Sequence, residues 1–212
     1  MKKIITFILG VVLLSGCASM STMQTARTTN EGEVGYSFGG GYVSTEMPIE
    51  DVDTLSINAP MLEVGARYGV NDKLDVGGKI TIIGTAVADA KYQFLGDKES
   101  KVAGSAGFGI GYLSMESGDT KSNLYDLMVP AYFSYHPAEW LSFYTSPKYV
   151  FRLNAYDSGE ETGSEASHWY GAGAGMRIGK KTGVFIEYTY FGNTEYEDPF
   201  SQINAGIGIR IK

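Results

Sequence analysis

The chain has 212 residues, a single cysteine and a formal net charge of −7. That balance, without a basic patch, excludes nucleic acid as an expected partner, and one cysteine excludes an internal disulfide. The 28 glycines and 15 tyrosines against 6 prolines point to strands rather than helices.

The first element is a leader. Lys2 and Lys3 precede an apolar run from Ile4 to Leu14, broken only by Thr6 and Gly10. It falls short of the roughly 20 residues that a helix needs to cross a bilayer and has the form of a signal-peptide core. It ends in Leu14-Ser15-Gly16-Cys17. This stretch resembles a bacterial lipobox, which implies cleavage before Cys17, acylation of Cys17 and handling by the lipoprotein-sorting machinery. Ala18 follows where an Asp would imply retention in the inner membrane, so the resemblance implies the outer membrane. The expected organisation is a signal peptide over 1–16, a lipid-anchored polar tether over 17–31 and a β-barrel over 32–212. Without the leader, 15 basic and 24 acidic residues remain, a net of −9.

From Gly32 the sequence alternates in period two, as strands do. Strand one, about 32–44, carries Val34, Tyr36, Phe38 and Tyr42 on one face and Glu33 with glycines on the other. A long polar connection, 45–59, leads to strand two (60–70), with Leu62, Val64 and Tyr68 opposing Glu63 and Arg67. Asn71-Asp72 signals a tight turn. Strand three (73–83) sets Val76, Ile80 and Ile82 against Asp75 and Lys79. Strand four, after Gly84, sets Ala88, Tyr92 and Phe94 against Asp89, Lys91 and Gln93. Strand five (101–114) sets Phe108, Ile110 and Tyr112 against small residues. A polar loop at 115–123 precedes strand six (124–136), where Tyr125, Leu127 and Phe133 oppose Asp126, Met128 and Tyr132. Strand seven (140–154) opposes Phe143 and Phe151 to Lys148 and Arg152, and Pro147 inside it predicts a bulge or break. A long acidic loop, 155–167, leads to strand eight (168–179), with Arg177 among glycines. Strand nine (183–191) carries Glu187 opposite Ile186 and Tyr188. Strand ten (202–212) carries Asn204 and Arg210 opposite Ile207, Ile209 and Ile211.

Ten such segments predict an all-β fold, a closed antiparallel up-and-down transmembrane barrel of about ten strands, with eight also open. The chain from Gly32 to Lys212 resembles small outer-membrane barrels in general. Connections after even strands are short and most others long, the pattern of short periplasmic turns and longer external loops. On this reading both chain ends and the Cys17 lipid lie on the periplasmic side. Aromatics cluster at both strand ends, as interfacial girdles require. At the C-terminus, Asn204, Gly206, Ile209 and Ile211 resemble the signal read by barrel-assembly machinery, without the usual terminal Phe. The competing architecture is a lipid-tethered, lipocalin-like barrel with its apolar face turned inward around a ligand.

The barrel reading places Glu33, Glu63, Arg67, Asp75, Lys79, Asp89, Lys91, Asp126, Lys148, Arg152, Arg177, Glu187 and Arg210 in the lumen. Mixed signs suit a filled, charge-paired interior, because an unpaired buried charge is costly. A narrow pore for ions or small polar solutes is the alternative. No catalytic residue, metal site or cofactor is expected. His168 with Asp157, Glu160, Glu161 and Glu165 offers an omptin-like rim arrangement, but by parity His168 faces the apolar side. The acids of 156–165 lack the spacing of an EF-hand loop. The expected role is structural, or interaction with an undefined extracellular ligand through the outer loops. The expected partners are outer-membrane lipid and the assembly and sorting machinery.

Overall fold

The computed structural model describes residues 20–49, 52–117, 120–159, 162–194 and 199–211. Cys17, the lipobox and Lys212 lie outside them. Ten strands follow in sequence: β1 (Val34–Ile49), β2 (Val52–Gly69), β3 (Leu74–Thr81), β4 (Ala86–Leu95), β5 (Val102–Ser117), β6 (Thr120–Ala138), β7 (Leu141–Asp157), β8 (Thr162–Ile178), β9 (Thr182–Asn193) and β10 (Phe200–Ile211). Each pairs antiparallel with its sequence neighbours, and β1 closes on β10 from Val34↔Ile211 to Thr45↔Phe200. The result is a closed ten-stranded barrel, which leaves no unpaired sheet edge.

Alternation decides which face is which. Phe38, Val64, Ile80, Phe108 and Ile186 are exposed on the outside, while Asp75, Lys91, Gln93, Arg152 and Glu187 are buried inside. An apolar exterior around a polar interior is a membrane barrel, and it reverses the lipocalin-like arrangement.

One end of the barrel has tight turns. Asn71 Oδ1 accepts from the amides of Lys73 and Leu74, both at 2.9 Å. Gly96 turns the chain at φ +73°, where an added Cβ would lie 2.3 Å from the Val102 carbonyl oxygen, so only glycine serves. At the other end three of the four connections expected as long loops are instead hairpins that continue the strands. β1 pairs with β2 out to Ile49↔Val52, β5 with β6 to Ser117↔Thr120, and β7 with β8 to Asp157↔Thr162. Their polar residues hid the continuation, because the apolar alternation that marks the strands stops there. The β3–β4 connection stays short, as expected, and the wall is lowest there.

Pro147 makes no bulge. β7 keeps one register with β8 through Pro147↔Ala172 and one register with β6 on either side of it. The prolines at 130 and 147 remove ladder hydrogen bonds locally and shift nothing.

Candidate functional site

The sequence reads 17–31 as a polar tether and leaves open whether it plugs, gates or merely links the barrel. Its described part, residues 20–31, runs through the lumen as an extended plug. The chain enters β1 at the tight-turn end, where Gly32 N donates to the Gly69 carbonyl at 3.0 Å. The other end of the plug, Met20, packs among Val43, Met61, Met128, Val150, Trp169, Phe191 and Phe200, toward the long hairpins. Met20 therefore lies near the low β3–β4 wall, where Ile83 and Val87 cover the same cluster. These inward apolar residues form a plate across the barrel. Of these, the sequence pattern put only Met128 on the charged face, and nothing in it showed that they meet.

Below the plate the plug has no ladder of its own, so the wall must satisfy its backbone. Glu187 Oε1 accepts from the Thr22 amide at 2.8 Å and its Oε2 from the Met23 amide at 2.7 Å. Ser134 Oγ accepts from the Ala26 amide at 3.1 Å, Gln93 Oε1 from Thr28 at 3.0 Å and Asp75 Oδ2 from Thr29 at 2.8 Å. Wall cations take the carbonyls. Lys148 Nζ donates to Met20 at 3.0 Å, Lys79 Nζ to Ser21 at 2.8 Å, and Lys91 Nζ to Thr25 at 3.1 Å and Arg27 at 3.2 Å. From the turn after β4, Lys98 Nζ donates to Thr28 at 2.6 Å and Thr29 at 3.0 Å. Ser105 Oγ donates to the Ala26 carbonyl.

The lumenal glycines make room for this strand. A Cβ on Gly39 would lie 2.3 Å from Met23 Cε, and one on Gly206 would lie 3.0 Å from Met23 Sδ. Met23 has a φ of +43°, unusual for a long side chain. Its amide is fixed by Glu187 and its side chain by the glycine gap.

The expected charge network divides into three groups. Arg67 bridges Asp75 and Asp89, and Asp75 also lies 3.6 Å from Lys91. Lys79 meets Glu63 at 3.3 Å. Toward the hairpin end Arg152 grips Asp126 with two bonds, Nε–Oδ1 at 2.7 Å and Nη2–Oδ2 at 2.8 Å, and its guanidinium lies over Trp169, 5.6 Å from the ring centroid. Lys148 and Glu187 serve the plug. Glu33 accepts from Asn30 Nδ2 at 2.8 Å. Arg177 and Arg210 stand apart at the tight-turn end.

At the seam, Asn204 is buried beside Glu187 at 3.5 Å, while Ile209 and Ile211 face outward. His168 does not face the lumen. His168 is exposed on the outer face, its Nδ1 2.6 Å from Tyr149 Oη, and Glu160 and Glu161 lie outside the described residues. His136, at the opposite end, is buried between Ser134 Oγ at 2.8 Å and Ser142 Oγ at 2.7 Å. Among the described residues, no cluster of His, Cys, Asp and Glu has the form of a metal site.

A closed antiparallel barrel with an apolar belt and a polar, filled lumen agrees with the family match. Residues 10–210 match the outer membrane protein beta-barrel domain. The chain belongs to this family. Its members are barrels of the bacterial outer membrane, which fixes the membrane that the apolar belt faces. No curated protein matches the sequence. Among solved structures, outer membrane protease OmpT from Escherichia coli is 11% identical with a TM-score of 0.51, covering 90% of this chain and 100% of that one. Ail, the attachment invasion locus protein of Yersinia pestis, is 18% identical with a TM-score of 0.44, covering 85% of this chain and 99% of its own. Neisserial surface protein A is 12% identical with a TM-score of 0.44, covering 84% and 99%. At these identities the likeness is one of fold alone.

Proposed function

We propose that this outer-membrane barrel is sealed and non-enzymatic, and that it acts through the hairpins projecting from its outer end. The observation that carries this reading is the plug: residues 20–31 fill the lumen, and the apolar plate around Met20 caps it. A pore needs a continuous wet path, which a plate of buried Val, Met, Trp and Phe side chains denies. By the usual orientation of such barrels the tight turns face the periplasm and the long hairpins face outward. In sequence, acids fall between or beside the last paired residues of each long hairpin: Glu50 and Asp51, Glu116 and Asp119, Asp157 with Glu160 and Glu161. That chemistry suits a cationic partner.

Planar-bilayer recording tests the sealed reading. The wild-type protein is expected to give no stable single-channel steps, and deletion of residues 21–29 is expected to give them. Stable steps from the wild type would overturn the proposal in favour of a small pore.

Lipid attachment at Cys17 belongs to the same reading, supported by the lipobox resemblance. An anchor there would hold the plug from its Met20 end, toward the long hairpins, and not from the periplasmic side that the sequence alone suggested. Labelled palmitate incorporation that persists in Cys17→Ala would remove the anchor from the account.

A further inference from the structure

Beside the plug lies a cavity of about 140 Å³. It runs from Met128 and Lys148 to the tight-turn end, and its lining holds far more bases than acids. Most of those bases are already engaged. Arg67 is held by Asp75 and Asp89, Lys79 by Glu63, and Lys91 and Lys148 by plug carbonyls. Among the described residues, three guanidiniums at the tight-turn end have no ion pair and no contact with the plug carbonyls.

Arg27, on the plug, donates through Nη2 to the Ser100 carbonyl at 2.6 Å, and its Nε is buried with no partner. Arg177, on β8, spends Nη1 and Nη2 on the carbonyls of Gly179 and Lys180, which satisfies hydrogen bonds and leaves its charge. Arg210, on β10, has no side-chain hydrogen bond or ion pair among the described residues. Glu33 and Asp75 are the acids in electrostatic range of Arg210. Glu33 is shared with Asn30, and Asp75 already serves Arg67, Lys91 and the Thr29 amide.

The backbone around these side chains is cleared. Gly35 and Gly208 line the same cavity. A Cβ on Gly183 would lie 2.8 Å from Arg177 Cζ, and one on Gly35 would still find only ordinary contacts at 3.8 Å and beyond. Asp97, on the exposed turn after β4, is the acid in electrostatic range of Arg27. Among the described residues no carboxylate touches any of the three, and partly buried guanidiniums that line one cavity without a carboxylate in contact are costly when empty. A planar fork with free N–H groups is the side-chain chemistry that best recognises a tetrahedral oxyanion.

We infer that the cavity edge formed by Arg27, Arg177 and Arg210 is a binding site for a small soluble oxyanion, phosphate or sulfate, entering from the tight-turn mouth. The site shares with the sealed-barrel reading the placement of the plug, which supplies Arg27, but does not require that the plate block conduction.

Calorimetric titration of the folded protein with inorganic phosphate, at constant ionic strength, tests this. Saturable binding at one site is expected. Arg210→Gln and Arg177→Gln should each weaken it at least about tenfold, the usual loss of a charge-assisted contact. Lys121→Gln, on an outer hairpin, should leave it unchanged. Heat-modifiable migration in gels checks that each variant is folded. Absence of saturable phosphate and sulfate binding by the wild type, or equal affinity in folded Arg210→Gln and Arg177→Gln, would overturn the proposal. Repeating the titration in phosphatidylcholine and phosphatidylglycerol bilayers separates the free ion from a lipid headgroup. Equal affinity in the two supports the soluble anion. Loss of binding in phosphatidylglycerol means a headgroup occupies the site, and overturns it.

Discussion

Glu187 shows how one side chain holds a segment that has no secondary structure. It is buried, and its two oxygens accept from consecutive plug amides, at Thr22 and Met23. Hydrogen bonds to a charged acceptor contribute about 1.5–3 kcal/mol each, and amides left unsatisfied cost a similar amount. Glu187→Ala should therefore destabilise the folded protein by about 2–5 kcal/mol, read as a lower urea midpoint, with Glu187→Gln intermediate because its amide retains one acceptor. A midpoint unchanged in Glu187→Ala would mean that the plug contributes nothing to the fold. At the tight-turn end, Asp97 organises the turn in the same way. The Ser100 hydroxyl, then the Glu99 and Ser100 amides, hold its carboxyl below the usual carboxylate range. A lowered folded value gives stability that is present above the unfolded pKa and lost as pH falls through the folded one. The Ser100 amide should lose hydrogen-exchange protection in that acid window, and in Asp97→Ala it should lack protection at every pH.

At the level of elements, the strands were legible because their chemistry repeats. A bilayer on one side and a packed lumen on the other force a strict alternation, so ten segments and the face of each charged residue could be read directly. The outer hairpins were read as loops, since 45–59, 115–123 and 155–167 are polar in sequence and carry no apolar alternation. The plug was legible only as one of three open roles for the tether, and for a different reason. It has no period, and its bonding partners are single polar residues scattered over β2 to β9. One trace did exist: the glycines at 39 and 206 face inward where a filled lumen would have used larger side chains. The same glycines give an element-scale test. Gly39→Ala puts a methyl group against Met23 Cε, 2.3 Å away before relaxation, and should lower the urea midpoint. Met23→Ala removes the obstacle and opens a gap. Residues in direct contact do not add, so the double variant should be more stable than the sum of the two losses. Simple additivity would place Met23 elsewhere.

The whole molecule combines two kinds of stabilisation. The wall is a closed ladder of backbone hydrogen bonds, interrupted only locally, with an apolar belt in lipid, out of reach of urea. The plug is held by side-chain bonds in a polar lumen beside a cavity, with one apolar anchor at Met20. Denaturant solvates peptide groups, so it competes for the plug before it competes for the wall, and local openings can precede global unfolding. Hydrogen-exchange mass spectrometry on the segment 20–31 tests the separation. In buffer its amides should be protected to nearly the level of the strands, because Thr22, Met23, Ala26, Thr28 and Thr29 all donate to lumenal acceptors. As urea rises, that protection should vanish at a concentration where β1 and β10 remain protected, and bilayer conductance should appear over the same range. The coincidence matters more than either midpoint. Conductance that appears while 20–31 is still protected would locate the water path outside the plug, and exchange at the unfolded rate in plain buffer would mean that the lumen is closed by the apolar plate alone.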